Sequence, residues 1–380
     1  MTIIVLKEPS PYCFIGNEVA FEVQTDSYAA IVVEIISNGI SQKTSYYPFK
    51  KGDVYTSRFN IAGYLYITSE TSEYPEGDLV STLPDFSIPY LVKIGEDYVF
   101  DGIAFKGGID NQTLAVLGKE GYNIFTYRLG SHFEQFLFTT RTHSKIVKVR
   151  ESELYPFVFI HPGIDLTFRS ESGNTITIPP QVEDTICVLN IVAVRLNYLY
   201  QYGETPTIIE VWVAKEKTFT IQITPNQESE ESYRIRFRNS LGAFEIIEVV
   251  GIANHEPTLS EPDIYQSLTD YGFYTDRRDR LSLQDVIKVE TGYKTKDEIL
   301  FIRDMVCSEE TYFIYPDGSY FRCNVSVDKM AYKEKRVSPE SIPLIVTDEN
   351  DSRYVSPPLD WSTLVSGAGV FDDTFDDSFE

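Results

Sequence analysis

Short alternating runs of apolar and polar residues fill the first part of the chain. Val19, Phe21 and Val23 face one way on a period of two, with Glu22 and Gln24 between them. A second run covers residues 30–36, interrupted by Glu34, and Asn38-Gly39 follows it as a hairpin turn signal. Tyr64, Tyr66 and Ile67 mark a further strand. Residues 71–89 hold three prolines, a glycine and several acids and read as a long loop. Strands at this spacing predict a small β-sandwich over residues 1–93.

Residues 94–253 continue in the same manner. Strands are expected at 98–100, 103–105, 157–160, 186–194, 208–213, 219–223 and 233–237, with a short helix over 123–138. Gly107-Gly108 lets the backbone turn sharply or approach another chain closely. In the last strand Tyr233, Ile235 and Phe237 alternate with Arg234, Arg236 and Arg238, so the three arginines share one face. Such a row reads as a solvated sheet face or as a contact to acids on a neighbouring subunit. Asn239-Ser240-Leu241-Gly242 is a turn, and residues 243–250 form the returning strand.

Residues 254–354 are mixed. Leu281, Leu283 and residues 286–289 read as strand. Thr295 and Glu298 have capping-box spacing, and Ile299, Ile302 and Val306 supply the apolar stripe of a helix. Residues 312–315 and 320–327 flank the turn Pro316-Asp317-Gly318-Ser319, and Leu344, Ile345 and Val346 close the region. The remainder, 355–380, changes character. Ser366-Gly367-Ala368-Gly369 has flexible-linker composition and precedes Phe371, Phe375 and Phe379, spaced by four and separated by acids that include Asp372 and Asp376. This is either a disordered acidic terminus or a docking motif that inserts phenylalanines into a groove. The expected fold is mainly β: several β-sandwich-like modules in series, a small α+β C-terminal module and a flexible acidic tail.

Composition sharpens the picture. The 380 residues are 42% hydrophobic and 24% charged, ordinary for a globular chain. The 26 Tyr and 24 Phe against two Trp favour half-buried pleated surfaces. With 33 bases against 57 acids the net charge is −24, which argues against a surface that grips nucleic-acid phosphates. No apolar run approaches the 18 residues of a membrane span, and residues 1–10 lack a signal peptide's apolar region, so neither a membrane partner nor secretion by that route is expected.

Candidate chemistry is sparse. Cys13, Cys187, Cys307 and Cys323 form no C-x-x-C pair and read as buried thiols; a Cys307–Cys323 disulfide is not readable from sequence. His132, His143, His161 and His255 form no zinc motif. Phosphate-loop, dinucleotide and nucleophile-elbow spacings are missing. Carboxylate pairs such as Asp276 with Asp279 are the surface pairs expected among so many acids; Asp348-Glu349 with Asp351 could bind a calcium ion through oxygen ligands but lacks the fixed alternation and glycine of an EF-hand loop. The sequons at Asn111 and Asn324 carry no meaning without a secretory route. The expectation is a non-enzyme with no cofactor and no metal. The competing classes are a peripheral receptor-binding or carbohydrate-binding module, which glycan binding by the monomer would favour, and a two-carboxylate glycoside hydrolase, which turnover on polysaccharide would favour.

An ordered series of segments resembles virion tail structural proteins from phages and prophages of Bacteroides-type bacteria, crAss-like phages included. It starts at Phe105-Lys106-Gly107-Gly108-Ile109 and Asn123-Ile124-Phe125, and runs through Phe138-Thr139-Thr140-Arg141 and Tyr155-Pro156-Phe157. Residues 236–245, Thr291-Gly292-Tyr293 and residues 308–313 complete it. It covers about residues 95–350, and the Phe-Asp-Asp ending is similar too. The resemblance implies a virion tail building block, made in the host cytoplasm, whose partners are copies of itself and other tail proteins. It implies a ring, barrel or hub through which DNA merely passes, and the negative charge would suit a lumen to which DNA does not adhere. It carries over no catalytic residue. The candidate sites are therefore contact sites: Phe371, Phe375, Phe379, Asp372 and Asp376 for docking, and Arg234, Arg236 and Arg238 between subunits.

Overall fold

A computed structural model describes residues 2–65, 74–75, 77–120, 137–141, 145–179, 181–182, 185–229, 231–259, 264–278, 281–327 and 341–349. The fold is mainly β, with several modules in series.

The first module is a two-sheet sandwich. One sheet orders the strands Ile3–Lys7, Ala20–Thr25, Val54–Asn60 and Phe49–Lys51; the other orders Tyr12–Phe14, Tyr98–Phe105, Ser87–Ile94, Ile31–Ser37 and Ile40–Tyr46. Val19, Phe21 and Val23 from one sheet meet Ile31, Val33, Ile35 and Val92 from the other in a shared core, as the alternation requires. The Asn38-Gly39 turn forms as expected: both residues have positive φ, 51° and 75°, and the strands pair in register from Ser37 opposite Ile40. Tyr64 lies in a single 3-10 turn, Ala62–Tyr64, not in a strand, and Tyr66 and Ile67 lie outside the described residues.

The second module has a five-stranded sheet ordered Ile146–Arg150, Glu216–Thr224, Ile208–Val213, Leu166–Ser170 and Thr175–Ile178. A three-stranded sheet, Phe157–Ile160, Ile186–Leu189 and Val80–Thr82, stands beside it. The strand expected over 186–194 stops at Leu189, and a helix, Ile191–Tyr202, follows. Asn190 caps it by accepting a hydrogen bond from the Ala193 N–H, and Gly203 ends it with φ of 70°. Ile191, Val194 and Tyr198 bury one stripe of this helix in the module's core. The helix expected over 123–138 falls mostly outside the described residues. Phe138 itself lies beyond any helix, and a helix not read from the pattern, Asn111–Glu120, precedes that stretch.

The third module is a closed antiparallel barrel. Its strands, in order around the wall, are Ser232–Arg238, Phe244–His255, Val286–Glu290, Pro343–Asp348, Tyr320–Ser326 and Thr311–Ile314. Closure leaves this sheet without an edge. The capping box at Thr295 and Glu298 forms and starts the helix Lys296–Val306, which adds Ile299, Phe301, Ile302 and Met305 to the barrel core.

The sequence-derived boundaries fall inside strands. Residue 94 ends the strand Ser87–Ile94, whose hairpin partner Tyr98–Phe105 belongs to the first sandwich. Residues 253 and 254 sit in the strand Phe244–His255. The barrel also takes Ser232–Arg238 from the region assigned to the central domain, because this strand pairs with both Phe244–His255 and Thr311–Ile314. A further core joins all three modules: Phe14 and Phe105, then Val158, Ile160 and Val188, then Leu241 and Phe244. Phe138 lies in its middle, with ring centroids 4.9 Å from Phe86 and 5.1 Å from Phe105.

Candidate functional site

The alternation at residues 233–238 sorts as expected. Tyr233, Ile235 and Phe237 enter the barrel core and the arginines face out. What covers the arginines is local. Arg238 pairs with Glu310, Nη2 to Oε2 at 2.7 Å, donates from Nη1 to the Gly242 carbonyl, and lies 4.3 Å from the Phe244 ring centroid. Burial pushes the Glu310 carboxyl up, but the charge of Arg238 and hydrogen bonds from Tyr312 and Arg238 outweigh this and hold it low. Arg236 is only 8% exposed and stacks 4.6 Å from the Tyr312 centroid and 5.3 Å from that of Tyr320. Its Nε has no hydrogen-bond partner among the described residues. Arg234 is half-buried opposite Glu248 and Ile314, with no ion pair among the described residues. The row is thus partly committed within its own chain. Phe371, Phe375, Phe379, Asp372 and Asp376 lie outside the described residues.

A buried ionic junction, not foreseen from the sequence, lies on the neighbouring strand. Arg141 bridges Glu153 at 2.8 Å and Glu245 at 2.9 Å, and its guanidinium lies 4.3 Å over the Phe301 ring. Lys294 reaches Glu153 at 3.4 Å, and Arg150 reaches the fully buried Glu248 at 3.5 Å. Glu245 also accepts from Thr139 and from Asn239 Nδ2 at 2.6 Å. Burial raises the Glu153 carboxyl, yet Arg141 and Lys294 overcome it and bring its pKa down to about 2. Glu245 keeps a raised pKa because burial exceeds the pull of Arg141. Burial likewise lowers Lys294 despite Glu153 beside it. These carboxylates and cations satisfy one another, which is how buried charge becomes tolerable.

This junction gathers segments far apart in sequence: residues 139–141, 150–153, 239–248 and 293–294. Gly107, with φ of 110°, sits where an added Cβ would strike the Ser240 and Leu241 backbone, and the Gly108 N–H donates to the Ser240 carbonyl at 2.7 Å. The close approach that the glycine pair allows is to a turn of its own chain, where approach to another chain was the expectation. Asp304 secures the same place, accepting from Thr140 Oγ1 at 2.6 Å and from the Ser240 N–H.

Among the described residues, a cluster of exposed aromatics lies on a β-ribbon also missed in the sequence. The strands Ile264–Leu268 and Tyr274–Arg278 form an arm inserted between two barrel strands, Phe244–His255 and Val286–Glu290. Tyr271 is 89% exposed and Phe273 72%, and Ile264, Tyr265, Leu268 and Tyr274 are exposed as well. The sequence signal was Tyr271-Gly272-Phe273 at the tip, where Gly272 takes a positive φ.

All four cysteines are free. Burial pushes the Cys187 thiol up to about 11 and that of Cys323 up to about 12. Cys307, expected to be buried, is exposed because it caps the helix Lys296–Val306. Among the described residues no group of three His, Cys, Asp or Glu side chains is placed to hold a metal, and no helix is long and apolar enough to cross a membrane.

No protein-family model and no curated protein matches the sequence. Among solved structures, a chain described under host cell surface retention of a 1.5-MDa bacterial ice-binding adhesin aligns over 76% of this chain and 92% of its own. Identity is 9% and the TM-score 0.14, values too low to carry an argument about fold or function.

Proposed function

We propose that this protein is a non-enzymatic structural component of a bacteriophage virion tail, assembling with copies of itself and other tail proteins into a ring, barrel or hub. The observation that carries the reading is the Ile264–Arg278 arm, which holds Tyr271, Phe273 and Tyr274 in solvent. Large exposed apolar patches on a folded chain mark surfaces that are covered in an assembly. Of the segments carrying the tail-protein resemblance, residues 138–141 and 236–245 contribute to the joint between modules, which suits a part whose geometry must be held rigid. The −24 charge suits a wall along which DNA slides.

Mass photometry of the purified chain, followed by imaging of particles, tests the reading. Oligomers are expected, and Tyr271→Ser with Phe273→Ser should return the protein to monomer. A persistent monomer that is absent from virions overturns the proposal. Glycan-array binding by that monomer would support a receptor-binding module instead.

A further inference from the structure

We propose that the cavity floored by Arg236 receives residues 371–380 of the same chain. The cavity measures about 910 Å³ and lies where the barrel meets the helix Ile191–Tyr202. Arg236 lines it with a side chain more than nine-tenths buried and an Nε that lacks a partner among the described residues. Asn197 lines it too, and its buried Oδ1 also has no hydrogen-bond partner among the described residues. Leu79, Tyr155, Leu196 and Tyr200 supply apolar and aromatic wall, and Asp78 stands exposed at the rim. In a chain of net charge −24, the helix forming this wall contains no acid and one base, Arg195.

These features define an occupant. It must bring a carboxylate to Arg236, an N–H donor to Asn197, and apolar bulk for the wall. A peptide of alternating Phe and Asp brings all three, the donor coming from its backbone. Residues 371–380 have three phenylalanines, five acids and no base. A neutral sugar offers less apolar bulk and no partner for the cation.

The topology brings the segment within reach. Arg236 is opposite Tyr312, Tyr312 is opposite Arg322, and the Arg322 carbonyl accepts from the Glu349 N–H. Arg322 also pairs with Glu349 at 2.9 Å. Glu349 therefore lies three strand spacings from Arg236 around the barrel wall, about 15 Å. About twenty residues connect it to residue 371, and a chain of that length can span several times this distance when extended. The segment can therefore reach the cavity of its own chain, which makes the encounter intramolecular.

Hydrogen exchange on the full-length chain tests this. In the F371A/F375A/F379A variant, amides of the helix Ile191–Tyr202 and of Tyr155 should exchange about tenfold faster than in the wild type. Adding a free peptide of residues 370–380 at millimolar concentration should restore protection. Tyr200→Glu with Leu196→Glu, both at exposed positions, should reproduce the fast exchange and should not respond to the peptide. Identical exchange in wild type and tail variant overturns the proposal. So does wild-type protection that disappears on dilution, because the occupant is then a second copy's segment. Neither readout requires the chain to oligomerise, so the result is independent of the virion assignment.

Discussion

Arg141 shows how much one side chain can hold. It satisfies two carboxylates, donates to the Ile246 carbonyl and covers an aromatic ring, all nearly out of water. Arg141→Met fills similar volume but leaves Glu153 and Glu245 without their shared cation. The expected loss is about 3–5 kcal/mol in urea unfolding, the range for breaking a buried pair from one side. A loss under about 1 kcal/mol would mean that the carboxylates rearrange to other partners. Glu153 also sets an acid dependence. Its folded pKa, about 2, is below the unfolded value, so its contribution is complete above the unfolded pKa near 4.5 and is lost as pH falls from about 5 through 2. Glu245 works in the opposite sense: its raised folded pKa gives stability at low pH that is lost as pH rises through it. Acid titration of Glu153→Gln should therefore show a shallower loss of stability between pH 5 and 2 than the wild type. None of this was legible beforehand, because Arg141, Glu153, Glu245 and Lys294 share no spacing and meet only through the fold. With 57 acids in the chain, a carboxylate destined for burial looks like any other.

Elements whose signal is local were readable. The Asn38-Gly39 hairpin, the Thr295–Glu298 capping box and the Asn239–Gly242 turn each form where a side chain or a glycine dictates backbone conformation. The helix Ile191–Tyr202 was not readable. Its start, Ile191-Val192-Ala193-Val194, favours a strand by propensity. Its buried stripe, Ile191, Val194 and Tyr198, is blurred by Val192, Leu196 and Leu199 on the exposed face. Packing against the five-stranded sheet and the caps at either end override the local preference. Those caps matter accordingly. Asn190→Ala should lower stability by about 1 kcal/mol, measured as a shift in the urea midpoint at constant m-value. An unchanged midpoint would mean that packing alone starts the helix.

Across the whole molecule, sheet membership divides the chain differently from composition. Hairpins and barrel closure pull strands across the loops and charge shifts from which boundaries are read, as with Tyr98–Phe105 and Ser232–Arg238. The shared core around Phe138 then couples the three modules. Phe138→Ala should cost about 3–5 kcal/mol, and it should shift the unfolding of all three modules together. Separate transitions, with only one displaced, would show that the modules unfold independently.

The arm's attachment has a mechanical consequence. Its two strands follow from the barrel strands Phe244–His255 and Val286–Glu290, which run beside Ser232–Arg238 and Pro343–Asp348 in the wall. Tension applied at Tyr271 and directed along those barrel strands runs parallel to their axes. It loads those ladders in shear, where many hydrogen bonds must yield at once, and does not peel them open one at a time. A chain tethered to a neighbour through this tip would resist being pulled out more strongly than the thinness of the ribbon suggests.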